Sequence, residues 1–170
     1  MTDALLQDLL EHVRSRYYGK YRGVVVDVDA ATMRVKASVP SVLGGVTSGW
    51  ASPCVPYAGP QVGFMMLPDV GSGVWIEFEG GDVSFPIWTG CYWNSGDIPS
   101  SAASTLKTII ASAGSLAFDN NASSVTLQDS SQNSLVLDSS GATTTAGGGT
   151  GTVAVGSSGV SVNNGALEVM

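Results

Sequence analysis

The sequence predicts an all-β protein led by one short helix, with a second half that cannot fold as a single chain. Three observations carry this. Residues 17–93 hold short alternating apolar runs separated by turn residues. From Ser115 onward, brief aliphatic strands recur between Ser, Asn and Gly at regular spacing. Charged residues make up only 12% of the 170, well under the quarter or so that a soluble domain carries. A chain so poor in charge is soluble if it buries much of its surface against copies of itself.

Residues 1–16 are the predicted helix. Leu5, Leu6, Leu9, Leu10 and Val13 recur at three- and four-residue steps and make one apolar stripe. Thr2 is placed to cap the helix and Asp3 suits its first turn. The stripe fits two uses. It packs on the chain's own barrel, or it attaches a neighbouring subunit.

Strands follow. Val24, Val26 and Val28 alternate with other residues, and Asp27 to Ala30 reads as the turn after them. Met33, Val35, Ala37 and Val39 then alternate with Arg34, Lys36 and Ser38, the pattern of a half-buried antiparallel strand. A third strand is expected over Trp50–Tyr57. A fourth runs over Gly73–Phe78, with Val74, Ile76 and Phe78 on one face. Glu79 to Asp82 makes a tight connection to a fifth over Phe85–Trp93. Five short strands in about eighty residues fit a small Greek-key barrel of the OB type. Residues 94–106 form a polar linker without periodicity.

The tail changes character. Leu116 to Asp119 is echoed by Val125 to Asp129 and by Leu135 to Asp138. Later the step tightens to seven residues through Val153/Val155, Val160/Val162 and Leu167/Val169. A shorter step implies shorter turns and a slimmer prism. Ordering costs roughly 1–2 kcal/mol per residue, whereas a buried aliphatic side chain returns about 1.5–3 kcal/mol. Two such side chains per repeat do not balance seven to ten ordered residues. Residues 107–170 are therefore expected to wind with two further copies into a β-helical needle. Val153, Val155, Val160, Val162, Leu167 and Val169 would pack along its axis.

The net charge is −7, which argues against general nucleic-acid binding. Six of the seven cations lie between Arg14 and Lys36, and residues 111–170 contain none. No basic leader or apolar run near the ~18 residues of a spanning helix is present, so synthesis in the bacterial cytoplasm is expected. Cys54 and Cys91 read as buried reduced thiols rather than a disulfide.

Residues 50–93 resemble a known family. Trp50-Ala51-Ser52, Pro56-Tyr57-Ala58-Gly59, Gly63 to Gly71, Phe78 to Asp82 and Pro86 to Gly90 stand in order. This string is similar to the OB domain of phage central spikes and VgrG-type proteins, including the group called baseplate assembly protein V. Arg22 to Val25 and Arg34 to Pro40 match as well, and Ser115 to Gly141 resembles the repeats that open the family's needle. The resemblance implies a parallel homotrimer, with the OB domains as a collar and the tails intertwined as a needle. It implies a place in a virion tail baseplate or an equivalent injection particle. Its partners would be a separate hub protein, possible at Leu5, Leu6, Leu9, Leu10 and Val13, and the target cell envelope, with a PAAR-type protein able to cap the C-terminal end.

Departures from the family also count. The linker leaves no room for a lysozyme-like insertion. The His-x-His pair by which some relatives bind iron is missing, because the single histidine is His12. No catalytic residue, metal site or cofactor is expected. A lone histidine offers no triad, and Asp119, Asp129 and Asp138 follow strands where turn capping explains them. An OB module that stacks sugar or single-stranded nucleic acid on Trp50, Tyr57, Trp75, Trp88 or Trp93 is the alternative.

Overall fold

The computed structural model describes residues 2–169. Met1, Met170 and the side chain of Thr2, with its expected capping role, lie outside the described residues. The chain divides into two compact units between Ile98 and Pro99.

The first unit opens with α1 (Thr2–Arg14). Its strands are β1 (Tyr21–Asp29), β2 (Arg34–Ser38), β3 (Ser52–Pro53), β4 (Ala58–Gly59), β5 (Val62–Gly63), β6 (Gly73–Phe78) and β7 (Pro86–Tyr92), with a single turn of helix, α2 (Pro40–Leu43), after β2. One five-stranded sheet runs in the order β2-β1-β6-β7-β3. It closes on itself where Val35 and Ala51 exchange backbone hydrogen bonds of 2.8 and 3.3 Å. That closure makes the OB-like barrel.

Two local expectations are corrected. The third strand shrinks from Trp50–Tyr57 to Ser52–Pro53, paired in parallel with β7. Pro53 and Pro56 lack the N–H groups that a longer ladder needs. The first turn falls at Ala30–Met33 rather than Asp27–Ala30. Asp29 fixes it by accepting hydrogen bonds from the Ala31 N–H at 3.0 Å and the Thr32 hydroxyl at 2.6 Å. Asp27 instead continues β1 and meets Lys36 across the strand pair at 3.5 Å.

The register of β1 against β2 slips between Val25 and Asp27, which makes Val26 a bulge. Val25 is the buried residue of this run, while Val24, Val26 and Val28 keep more than a third of their surface exposed. Val25, Val35, Val39, Val74 and Ile76 fill the barrel with Ala37, Ala51, Phe78 and Trp88. The Trp88 indole N–H donates to the Met33 carbonyl at 3.0 Å. Ser48, also buried, accepts from the Ala37 N–H and donates to the Gly49 carbonyl.

Glu79–Gly81 is a helical turn in which Gly80 and Gly81 have φ of +57° and +77°, values a side chain resists. The Gly81 carbonyl accepts from the Tyr17 N–H at 2.8 Å, and Arg16 pairs with Asp82 at 3.0 Å. These contacts tie the segment after α1 to the barrel. The stripe of α1 itself is uncovered, since Leu5, Leu6, Leu9, Leu10 and Val13 are 44–73% exposed. The helix does not use that stripe on its own barrel. Cys54 and Cys91 are free thiols, as expected, but exposed rather than buried.

The second unit is a meander. Strands β8 (Leu106–Ala111), β9 (Gly114–Asp119), β10 (Ser124–Asp129), β11 (Ser134–Asp138), β12 (Gly141–Thr145), β13 (Thr152–Gly156), β14 (Gly159–Val162) and β15 (Leu167–Val169) form one antiparallel sheet in chain order. Strand β8 thus begins at Leu106, the last residue of the expected linker. Inner strands find both ladder partners within the chain, so interwinding is not what satisfies their edges. Strands β8 and β12 carry no clear aliphatic alternation, which hid them in the sequence. The shorter C-terminal step comes from both, because the turn between β13 and β14 has two residues where those on either side of β10 have four, and the strands shorten as well. Strand length falls from six residues in β8–β10 to five in β11–β13, four in β14 and three in β15.

Ile76 is fully buried in the barrel. Ile76→Ala is expected to lower the stability of the barrel by about 2–5 kcal/mol, read as a shifted denaturant midpoint. Val24→Ala on the outer surface should cost much less.

Candidate assembly interface

Antiparallel register decides which side chains share a face of the second unit. One cross-strand row runs through Lys107, Phe118, Val125, Leu137, Ala142, Val155, Val160 and Val169. A second row on the same face runs through Ile109, Leu116, Leu127, Leu135, Thr144, Val153, Val162 and Leu167. Only Lys107 and Thr144 interrupt this apolar surface. The row between them, on the opposite face, reads Thr108, Ala117, Thr126, Val136, Thr143, Ala154, Ser161 and Glu168.

All six expected axis residues lie on the apolar face. Val155, Val160 and Val169 fall in the first row, and Val153, Val162 and Leu167 in the second. Sequence periodicity missed Ile109, because β8 went unread, although its register partner Leu116 was in view. The face is bare in the single chain. Phe118, Leu127, Leu137, Val153, Val155, Leu167 and Val169 are each 42–59% exposed. A single-layer sheet has nothing else to cover it, and stable architectures bury such a face against a second layer.

Turns hold the strands side by side. Asp119 accepts hydrogen bonds from the Asn121 and Ala122 N–H groups. Asp129 accepts from the Ser131 and Asn133 N–H groups and from the Asn133 amide. Asp138 accepts from the Ser140 N–H. These carboxylates cap turns, as their positions suggested. Neighbouring turns are also joined. The Ser130 N–H donates to the Ala113 carbonyl, the Gly147 N–H to the Asn133 side-chain oxygen, and the Thr152 N–H to the Asn163 side-chain oxygen. Among the described residues, no group of three His, Cys, Asp or Glu could hold a metal ion.

On the barrel, three of the aromatics considered for stacking are already engaged. The Arg22 guanidinium lies 5.0 Å from the Trp75 ring and 4.8 Å from Tyr92. The Lys36 ammonium sits 4.4 Å from the Trp50 ring. Trp88 is in the core. Tyr57 and Trp93 remain exposed.

Two family models match the chain in tandem. The type VI secretion system/phage-baseplate injector OB domain matches residues 21–93. The phage baseplate V C-terminal trimerisation domain matches residues 107–168. The chain belongs to the phage baseplate V family. A search of curated proteins returns no match. The two matched stretches coincide with the barrel strands and with β8–β15, and α1 lies outside both. For this baseplate V chain, the trimerisation domain supports a homotrimer.

The Asn133 side chain and then its N–H, with a further hydrogen bond from Ser131, hold the Asp129 carboxyl below its ordinary value. A folded-state pKa below the unfolded one gives stability that is present above the unfolded pKa, about 4. It is lost as pH falls through the folded value. The melting temperature of the second unit is therefore expected to hold from pH 7 to 5 and to fall below about pH 4. Asp129→Asn should flatten that fall.

Proposed function

We propose that this chain is the structural central spike of a contractile tail baseplate. Three copies turn the apolar faces of β8–β15 to a common axis and form a needle. Three barrels form a collar that docks on a separate hub at the tube end, and sheath contraction drives the needle into the target cell envelope. The role is mechanical and needs no catalytic residue.

The observation that carries this reading is the two-row aliphatic face, backed by a small polar face, inside a family trimerisation domain. Three such sheets enclose a dry core and show Thr, Ala and Ser outside. The shortening strands give the needle a taper. At about 3.3 Å per residue, a face roughly 20 Å across narrows to roughly 10 Å. A taper concentrates force on a small area, as piercing requires. A PAAR-type protein at the narrow end is compatible with this shape. The stacking-module alternative is weakened by the cations that already cover Trp50 and Trp75.

Burying unpaired charge is costly enough to be avoided by unfolding or protonation. Val162→Asp would set three carboxylates on the axis of a unit whose one cation, Lys107, lies in β8. It is expected to give frayed needles and inactive particles. Ser161→Asp, on the outer face, should assemble and function. Equal outcomes for the two variants, scored by electron microscopy and particle activity, would discard the inward assignment.

The bare stripe of α1 is the proposed hub contact. Removing residues 2–16 should weaken co-purification with the hub and leave the trimer intact by light scattering. Undiminished hub binding would remove α1 from that role.

A further inference from the structure

We infer that Phe118 of each copy is a knob that seats in an apolar groove of the next copy and locks the upper part of the trimeric sheet assembly. The inference rests on the inward-facing trimer proposed above and adds which residues meet.

Phe118 is the single aromatic residue from Pro99 to the end of the chain, and it is 45% exposed. It lies at the end of β9 next to the Asn120–Ser123 turn. The groove starts in the cross-strand row beside that of Phe118 and reaches the other end of the same strands. It has a volume of about 600 Å³ and is walled by Ile109, Ala111, Ala113, Leu116, Leu127 and Leu135. Knob and groove thus sit on one face, at one height along the sheet, and the far end of the groove lies at the strand ends opposite Phe118.

Threefold rotation brings those ends together. In a cyclic trimer the contact is heterologous, so one edge of each sheet always meets the other edge of its neighbour. Rotation shifts nothing along the axis, so β9 of one copy stays level with β9 of the next. Phe118 then faces the next copy's groove. Within one chain Phe118 borders only the near wall of the groove, at Leu116 two residues along β9. Phe118 pairs with Lys107, and Ala111 lies four residues further along β8, roughly 13 Å away at 3.3 Å per residue.

The partner is therefore a second copy of this chain, continuous with the trimerisation surface. The groove is the receiving half of that contact.

The decisive experiment uses the full chain with Cys54→Ser and Cys91→Ser. Ala111→Cys and Phe118→Cys are added together and the protein is oxidised. Disulfides need Cα atoms about 4.4–6.8 Å apart, so a bond can form only between copies. A covalent trimer on a non-reducing gel is expected, with neither single cysteine producing it. A second pair guards against loss of folding in the first. Phe118→Ala should lower the temperature at which the trimer dissociates in SDS, and adding Ala111→Phe in the same chain should recover most of that loss. A trimer that shows no cross-link and additive losses would overturn the knob-and-groove contact while leaving the inward-facing trimer standing. A monomer by light scattering for the unaltered chain would overturn the trimer itself.

Discussion

Everything in the second unit depends on one uncovered apolar face. Eight strands pair in chain order, so their backbone groups are satisfied without help from another chain. Their side chains are not. Fourteen apolar positions in two rows stand on a sheet one layer thick, and apolar surface left in water forfeits about 25 cal/mol per Å². Threefold association removes that surface from water without adding any segment to the chain.

The first unit solves its packing differently. A closed sheet buries its own interior, and the Val35–Ala51 contact is where closure happens. Nine residues make its core. Closure also leaves no long free strand edge, which protects a protein of low charge from edge-to-edge association. The barrel therefore covers its own core, whereas the second unit leaves an apolar face uncovered. The uneven placement of the cations follows this division, because the barrel region keeps ion pairs and cation–aromatic contacts. The outward surface of β8–β15 is left to hydroxyls, methyls and a few carboxylates.

Much of this organisation is legible in the residues. Alternation marked β2, β6, β9, β10 and β11 because each has one apolar face and one more polar face. Val74, Ile76 and Phe78 are inward, as their spacing required. Other features were beyond reach. Val25 lies on the inward face with Gly23, and the bulge at Val26 then breaks the alternation, which the Val24, Val26 and Val28 spacing does not reveal. Strand β12, Gly141–Thr145, holds three threonines where its neighbours hold aliphatics. It is a strand because β11 and β13 flank it, not because of its own preference. The thiols were expected in the interior from residue type alone, yet barrel geometry leaves both outside.

The sequence by itself determined the polarity of the chain: a helix with one stripe, a barrel with alternating strands, and a tail too poor in buried bulk to stand alone. Those follow from local spacing and composition, which act over a few residues. Only the tertiary structure decided how the tail satisfies itself. Winding chains and a single-chain meander share the same alternating pattern, because both place every second side chain inward. They differ in which backbone groups pair, and pairing is set by turn geometry across strands. Antiparallel register then put Val153, Val162 and Leu167 in one row and Val155, Val160 and Val169 in another, and it set Phe118 and the far end of its groove at opposite ends of the same strands.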